Sequence, residues 1–274
     1  MMNSNQLTQD QLQLLQKELL DILLDVRDVC ERNGISFWLG EGSLLGAVRH
    51  GGFIPWDDDL DILMKRSDYE RFLSIAQEEL KDRYVIQHPS TIQNYWSTFI
   101  KVRVKDSHPH FYQGHISKIT EFCGPCIDVF PLDYVKHRFS IRQYFQCSKI
   151  RLFRRMIEFR MKVRISTDIK TALISMGSHF FSLDWLQKHV EKEMRRQGDA
   201  EKEYLAAFST FHKYKSIIAP AQYYRTDYTG FEGHQMPIPA GYDQLLTQIY
   251  GNWREIPEEG KRETKHQYVC AGTD

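Results

Sequence analysis

Asp57, Asp58, Asp59 and Asp61 crowd into five residues of an otherwise apolar stretch, Pro55-Trp56-Asp57-Asp58-Asp59-Leu60-Asp61-Ile62-Leu63. If residues 59–64 form a strand, its side chains alternate, and Asp57, Asp59 and Asp61 project from one face at steps of roughly 6.6–6.8 Å. Each adjacent pair then repels by about 2.5 kcal/mol at an effective dielectric near 20. A bound divalent cation removes that penalty. Mg²⁺, or Mn²⁺ in its place, takes oxygen ligands, usually one or two carboxylates completed by substrate phosphates. The spacing therefore predicts a metal–phosphate site. An isolated acidic triplet after a proline is otherwise a solvated turn. Here Leu60, Ile62 and Leu63 make the segment apolar enough for a buried strand, Gly42-Ser43 lies upstream, and Arg49 and His50 stand between. Acidic and basic groups interleaved with glycines suit a site that holds metal and phosphate together.

Phosphoryl transfer needs the charge on the moving group neutralised, an in-line nucleophile and a group to take its proton. Asp59 and Asp61 are the candidate catalytic metal pair, with Asp57 as a third ligand or outer-sphere support. Asp128, flanked by Ile127 and Val129, is placed on a neighbouring strand, where it reaches the same metal or accepts the proton. Its alternative is a strand-end carboxylate satisfied by backbone amides. Gly42 and Ser43 offer amides and a hydroxyl to a diphosphate at the start of a helix over residues 44–48, or simply make a turn. Arg49, Lys101 and Arg103 are the cations for phosphate, Lys101 and Arg103 sharing a strand face. Charges on an edge strand are the other reading of that pair. His50 has no assigned role.

These residues resemble a family. Gly42-Ser43-Leu44-Leu45-Gly46-Ala47-Val48-Arg49-His50, followed by Gly52-Phe53-Ile54-Pro55-Trp56-Asp57-Asp58-Asp59-Leu60-Asp61-Ile62, is similar to the signature of LicD-type phosphotransferases, relatives of the fukutin family. Phe99-Ile100-Lys101-Val102-Arg103, Ile127-Asp128-Val129-Phe130-Pro131-Leu132-Asp133, Phe231-Glu232-Gly233 and Pro237-Ile238-Pro239-Ala240-Gly241-Tyr242 resemble its later blocks in the same order. The resemblance implies a nucleotidyltransferase-like fold that moves a phospho-alcohol from a CDP-activated donor onto a glycan hydroxyl and releases CMP. CDP-choline is the leading donor, and CDP-ribitol and CDP-glycerol are the alternatives. The acceptor is a cell-surface glycan precursor of the teichoic acid or lipopolysaccharide type, free or lipid-linked.

Positioning these groups falls to an alternation of helices and short strands. Leu12, Leu15, Leu19, Ile22, Val26 and Val29 predict an amphipathic helix over residues 9–33, capped by Thr8 with Gln11 and ended by Gly34. A strand over 35–39 leads into the Gly-Ser turn. Ser67 and Glu70 predict a second capping box, and residues 84–87, 99–105 and 127–130 read as strands. The fold expected is α/β (α+β), a nucleotidyltransferase-like mixed sheet core flanked by helices over 1–134. A mainly helical second half over 135–274, with helices near 184–197 and 242–250, completes the same domain.

The 274 residues carry no net charge, which argues against a nucleic-acid partner. The first thirty residues lack the apolar run of a signal peptide or membrane span, so a cytoplasmic location is expected. Residues 135–164 hold ten Lys or Arg against one acid, Glu158, with apolar residues interspersed. That pattern suits peripheral contact with an anionic membrane face, or an ordinary solvated helix. Five cysteines suit a reducing compartment. Cys123-Gly124-Pro125-Cys126 resembles the thioredoxin tetrapeptide, but a strand-like run follows it rather than a helix. Half a zinc site with His108, His110 or His115 is a further reading, and a structural tightening before Asp128 is the preferred one. Trp56 and the Tyr95-Trp96 pair are the aromatic faces placed against a trimethylammonium headgroup, although core packing is the commoner fate of such residues. A different class of function, a non-catalytic binding protein retaining the fold, would leave the clustered carboxylates unused and costly.

Overall fold

The 3.6-residue period of the first segment becomes a helix whose apolar stripe is buried. In the computed structural model, which describes residues 7–107, 110–113, 121–164, 167–210, 212, 214, 217–262, 264 and 268–271, α1 (Gln9–Arg32) buries Leu12, Leu15, Leu19, Ile22, Val26 and Val29. The capping box forms as expected: the Gln11 N–H donates to Thr8 Oγ1 at 3.2 Å, and the Thr8 N–H to Gln11 Oε1 at 2.9 Å. There follow β1 (Trp38–Leu39), α2 (Glu41–His50), β2 (Asp61–Lys65), α3 (Arg66–Glu79), β3 (Tyr84–Gln87), β4 (Ile100–Val104), β5 (His110–Gln113) and β6 (Cys126–Val135). The second half holds α4 (Ile141–Arg160), α5 (Ile169–Ser178), α6 (Leu183–Met194), β7 (Tyr204–Ala206), β8 (Ile218–Pro220), β9 (Thr226–Phe231), β10 (His234–Pro239), α7 (Tyr242–Tyr250) and β11 (Tyr268–Ala271).

The main sheet runs β1-β2-β6-β4-β3, with β7 added to β6 and β8 to β7. Only the β2–β6 pair of this sheet is parallel, its register setting Asp61 opposite Asp128. Helices flank it, so the mixed α/β architecture read from the sequence is the one observed. Strand alternation then sorts the side chains. Ile62, Met64, Ile100, Val102, Ile127 and Val129 face the largest core beneath α1, α2 and α3. Leu63, Phe99, Phe130 and Leu132 pack on the opposite face with Leu205 and Ala219 of β7 and β8. Asp61, Lys101 and Asp128 have the parity of this second set, so the sheet itself delivers them to one face.

Three expectations need correction. The acidic segment is not strand from residue 59: β2 begins at Asp61. Asp57 instead closes a turn onto Ile54 O at 2.9 Å, and the Gln16 amide of α1 donates to Asp57 O at 2.9 Å. The run before β2 is thus anchored sideways to a helix. Ser67 caps nothing, because β2 passes directly into α3 with Lys65 at the N-cap and no side-chain cap bond. The second half is also less helical than expected, since β7 to β11 lie in it. Its β9–β10 hairpin turns at Glu232 and Gly233, both with positive φ (49° and 79°), as a tight hairpin turn requires. Glu232 Oε1 accepts the Phe53 N–H at 2.9 Å, which packs the hairpin against the loop after α2. A Cβ on Gly52 would stand 2.0 Å from that oxygen, which explains the glycine.

The helices α4, α5 and α6 build a second core with Val135, Phe208 and Ile218. Arg154 of α4 is buried and donates to Phe208 O and Thr210 O, and Arg151 donates to His212 O. Part of the basic stretch therefore points inward and holds a loop, which its sequence pattern did not reveal.

Candidate active site

The start of α2 and the start of β2 are clamped together. The Asp61 N–H donates to Ser43 Oγ at 2.8 Å, so the serine hydroxyl fixes where the strand begins. A Cβ on Gly42 would lie 2.7 Å from Asp57 Oδ2 and 3.9 Å from Asp59 Oδ1. Glycine at this place lets two carboxylates close on the first turn of a helix, where uncompensated N–H groups and the helix dipole favour negative charge. Gly42 and Ser43 thus organise the aspartates. Asp57, Asp58 and Asp61 are buried and Asp59 is half-buried.

Asp128 stands on β6 between two strands, with Asp61 as its register partner on β2 and Lys101 on β4. Lys101 Nζ makes a salt bridge to Asp128 Oδ1, and both side chains are nearly buried. Burial pulls the Lys101 ammonium down, but Asp128 and Cys126 outweigh it and hold it above its ordinary value. The Asp61 carboxyl is pushed well above the usual carboxylate range, first by burial and then by Asp59, Asp128, Glu41 and Asp57. Asp57, Asp59, Asp61 and Asp128 therefore form one electrostatic cluster, gathered by the turn before β2 and the β2–β6 register rather than by alternation along one strand.

The remaining expected site residues are engaged with other partners. Arg49 sits at the C-terminal end of α2, roughly 10 Å from Gly42 at 1.5 Å per residue, and donates to Trp253 O at 2.8 Å and Glu255 O at 3.2 Å. Its Nε donates to His50 Nε2 at 2.9 Å, which gives His50 a supporting place. Arg103 is fully buried and donates to Gln87 Oε1, Gly124 O and Gln113 Oε1. It tightens the Cys123–Cys126 loop. All five cysteines are free, and His108, His115 and the His110 side chain lie outside the described residues. Trp56 is half-buried, with the Arg262 guanidinium 5.1 Å over its ring. Tyr95 is buried, its hydroxyl donating to Gln87 Oε1, and Trp96 lies 4.6 Å from it and packs on the second core. The three aromatics form no shared cage.

Three residues beside the cluster escaped the sequence reading. Glu41, the first residue of α2, adopts φ +48°, a left-handed conformation that costs a non-glycine residue on the order of 1–3 kcal/mol. Its carboxylate pairs with His212 Nε2. The His212 ring meets Tyr250 edge-on at 5.8 Å, and the Tyr250 phenol is held well above its ordinary value by burial, then by Glu41, Asp61, Asp57 and Asp59. The signal for Glu41 was present in Gly40-Glu41-Gly42, a glycine-rich turn whose middle position carries a charge. No local pattern marks His212 or Tyr250.

As a donor set, Asp57, Asp59, Asp61 and Asp128 suit a hard divalent cation, since all offer carboxylate oxygens and their mutual repulsion falls when one binds. Among the described residues no three His, Cys, Asp or Glu side chains are already arranged as a metal shell. Phosphate oxygens and water would supply the remaining ligands. Residues 34–159, which span α2, the acidic turn and the β2–β6 pair, match the family described as LicD/FKTN/FKRP, nucleotidyltransferase domain. The chain carries a LicD family domain. It is 28% identical over 261 residues to the lipopolysaccharide cholinephosphotransferase LicD of Haemophilus influenzae, covering 90% of this chain and 92% of that protein. It is also 59% identical over 34 residues to ribitol 5-phosphate transferase FKRP of human and mouse, covering 12% of this chain and 7% of theirs. The LicD family match ends within α4, so α5, α6 and the β9–β10 hairpin lie outside it, while the longer relative spans nearly the whole chain.

Proposed function

We propose that the chain transfers phosphocholine from CDP-choline to a hydroxyl of a cell-surface glycan precursor, with release of CMP. It is a phosphotransferase of the LicD type, and the observation that carries the metal-assisted transfer is the carboxylate cluster gathered by Gly42, Ser43 and the Asp61–Asp128 register. Asp59 and Asp61, with Asp57 and Asp128, would hold Mg²⁺ or Mn²⁺. When bound, the cation neutralises charge on the diphosphate and makes CMP a better leaving group. Ser43 and Gly42 keep the two acidic segments together. Lys101 neutralises Asp128 and so limits the negative charge that a diphosphate must approach.

The choice of choline is supported by the length of the match to the Haemophilus cholinephosphotransferase. It is not supported by an aromatic cage, because Tyr95 is buried and Arg262 covers Trp56. Side-by-side assays of CMP release from CDP-choline, CDP-ribitol and CDP-glycerol with Mg²⁺ are expected to favour CDP-choline at least tenfold. A polyol donor preferred by that margin would reassign the donor and leave phosphotransfer standing.

The acceptor is proposed to be reached at an anionic membrane surface. No helix of the described residues is long and apolar enough to cross a membrane. Ile169, Leu173 and Met176 of α5 and Phe180 just beyond it recur at helical spacing with 59–84% of their surface exposed. Exposed Lys170 lies on the same helix, and Arg155 of α4 and Lys162 just after it are exposed as well. An apolar stripe accompanied by cations suits insertion at a headgroup boundary, each cation gaining about 1 kcal/mol near anionic lipid. Flotation with phosphatidylglycerol vesicles is expected to carry the protein at low salt and less of it at high salt, and Leu173→Glu with Phe180→Glu to abolish it. Equal recovery with neutral vesicles, or none with anionic ones, would refute the contact.

A further inference from the structure

Asp128, the carboxylate that sequence spacing offered as proton acceptor, is engaged by Lys101. Its Oδ1 already accepts from Lys101 Nζ, and the carboxylate is one of those offered to the metal. Another candidate lies against the same cluster. His212 is 30% exposed at its side chain and is held through Nε2 by the Glu41 carboxylate, which is itself only 11% exposed. Glu41 directly precedes Gly42, where a Cβ would lie 2.7 Å from Asp57 Oδ2 and 3.9 Å from Asp59 Oδ1, so the pair borders the metal-binding carboxylates. A partly open imidazole oriented by a buried carboxylate is an arrangement suited to general base catalysis.

We propose that His212, oriented by Glu41, accepts the proton of the attacking acceptor hydroxyl. The inference rests on the phosphotransfer reading above. Glu41 accepts the hydrogen bond of Nε2–H, which leaves Nδ1 as the basic nitrogen. The acceptor oxygen forms a bond to the distal phosphorus of the CDP-alcohol as the bond from that phosphorus to the CMP oxygen breaks. The leaving electron pair stays on CMP. The acceptor proton moves to Nδ1, and the resulting imidazolium, paired with Glu41, returns it to solvent. His212 is a catalytic residue in this scheme and Glu41 a positioning residue.

The surroundings of His212 are specific. Glu41 comes from α2, Tyr250 from the end of α7, and Arg151 of α4 donates to the His212 carbonyl rather than to its ring. Arg154, from the same helix, holds Phe208 and Thr210 upstream, so two inward-facing arginines fix the loop that carries the imidazole. The backbone of Glu41 adds an independent argument. A glycine would adopt its positive φ without strain and both neighbours are glycines, yet the position carries a carboxylate.

The test is CMP release from CDP-choline by the full-length protein with Mg²⁺, with donor binding measured by calorimetry alongside. His212→Ala is expected to slow release by about 10²–10⁴-fold, to leave donor affinity within about twofold, and to recover at least tenfold when imidazole is added. Glu41→Gly is expected to slow release by at least tenfold while the melting temperature stays level or rises, because the strain is relieved. Unchanged release by His212→Ala would overturn the proposal, as would a loss that imidazole does not rescue. A fall in both rate and melting temperature for Glu41→Gly would assign that residue to structure and remove its positioning role. Absence of CMP release by the unmodified protein from CDP-choline, CDP-ribitol and CDP-glycerol would instead defeat the phosphotransfer reading, and this proposal with it.

Discussion

Asp61→Asn is expected to reduce turnover by roughly 10³-fold, the scale seen when one preorganised charge-stabilising group is removed, while leaving the protein at least as stable. The two halves of that result have one cause. Burial first, and then Asp59, Asp128, Glu41 and Asp57, hold the Asp61 carboxyl well above the usual carboxylate range. Asparagine keeps the shape and leaves intact the backbone N–H bond to Ser43 Oγ, but it removes a charge that its neighbours repel. A residue kept for stability would not behave this way. Asp59→Asn is expected to act similarly, though Asp59 is more exposed and its carboxylate lies against the start of α2. Initial rates of CMP release with a thermal melt of each variant check the pair. Rates near those of the unmodified protein in both variants would dissolve the assignment of these carboxylates as metal ligands.

Arg66→Ala is expected to destabilise the protein by about 3–5 kcal/mol, because it strands a buried carboxylate. Arg66 binds Asp133 through two bonds of 2.8 Å, reaches Glu191 at 3.1 Å and lies 5.3 Å over the Tyr69 ring. The Arg66 and Asp133 side chains are only 4% and 3% exposed. The pair fastens the start of α3 to the β6 strand that also carries Asp128, and Glu191 extends the link to α6. For a chain of this size the loss corresponds to roughly 6–20 °C in melting temperature. Arg66→Met with Asp133→Leu is expected to restore most of it, since an apolar pair of similar volume replaces the ion pair without leaving a lone charge. Equal destabilisation by the single and double changes would show that the fastening is not electrostatic.

Periodic segments were the legible part of the fold. The α1 stripe, its capping box, the β3 strand and α7 follow from spacing that needs no partner to be read. What failed depended on contacts between distant segments. The strand expected over residues 59–64 begins only at Asp61, because Gln16 of α1 and Gly42 of α2 hold the preceding aspartates in another course, and no local pattern encodes either contact. Ser67 has the right neighbours for a cap, yet Arg66 is drawn to Asp133, and the strand runs straight into the helix.

The site divides along the same line. Asp57, Asp59, Asp61 and Asp128 were recognisable because carboxylates in apolar surroundings are rare and costly. Arg103 looked like a phosphate cation because a strand face was all that could be inferred, whereas its three hydrogen-bond partners come from β3, β5 and the cysteine loop. His212 was invisible for the opposite reason. It gains its place only when α4 arginines hold its loop and Glu41 meets its ring, 171 residues away in the chain.

The most direct measurement is the Mg²⁺ dependence of CDP-choline binding by isothermal titration calorimetry, on the unmodified protein and on Asp61→Asn. If the aspartate cluster is where nucleotide phosphate and metal meet, the unmodified protein binds at least tenfold more tightly with Mg²⁺ than with EDTA, and Asp61→Asn loses that difference. Equal affinity with Mg²⁺ and with EDTA, or a Mg²⁺ effect that survives in Asp61→Asn, would contradict it.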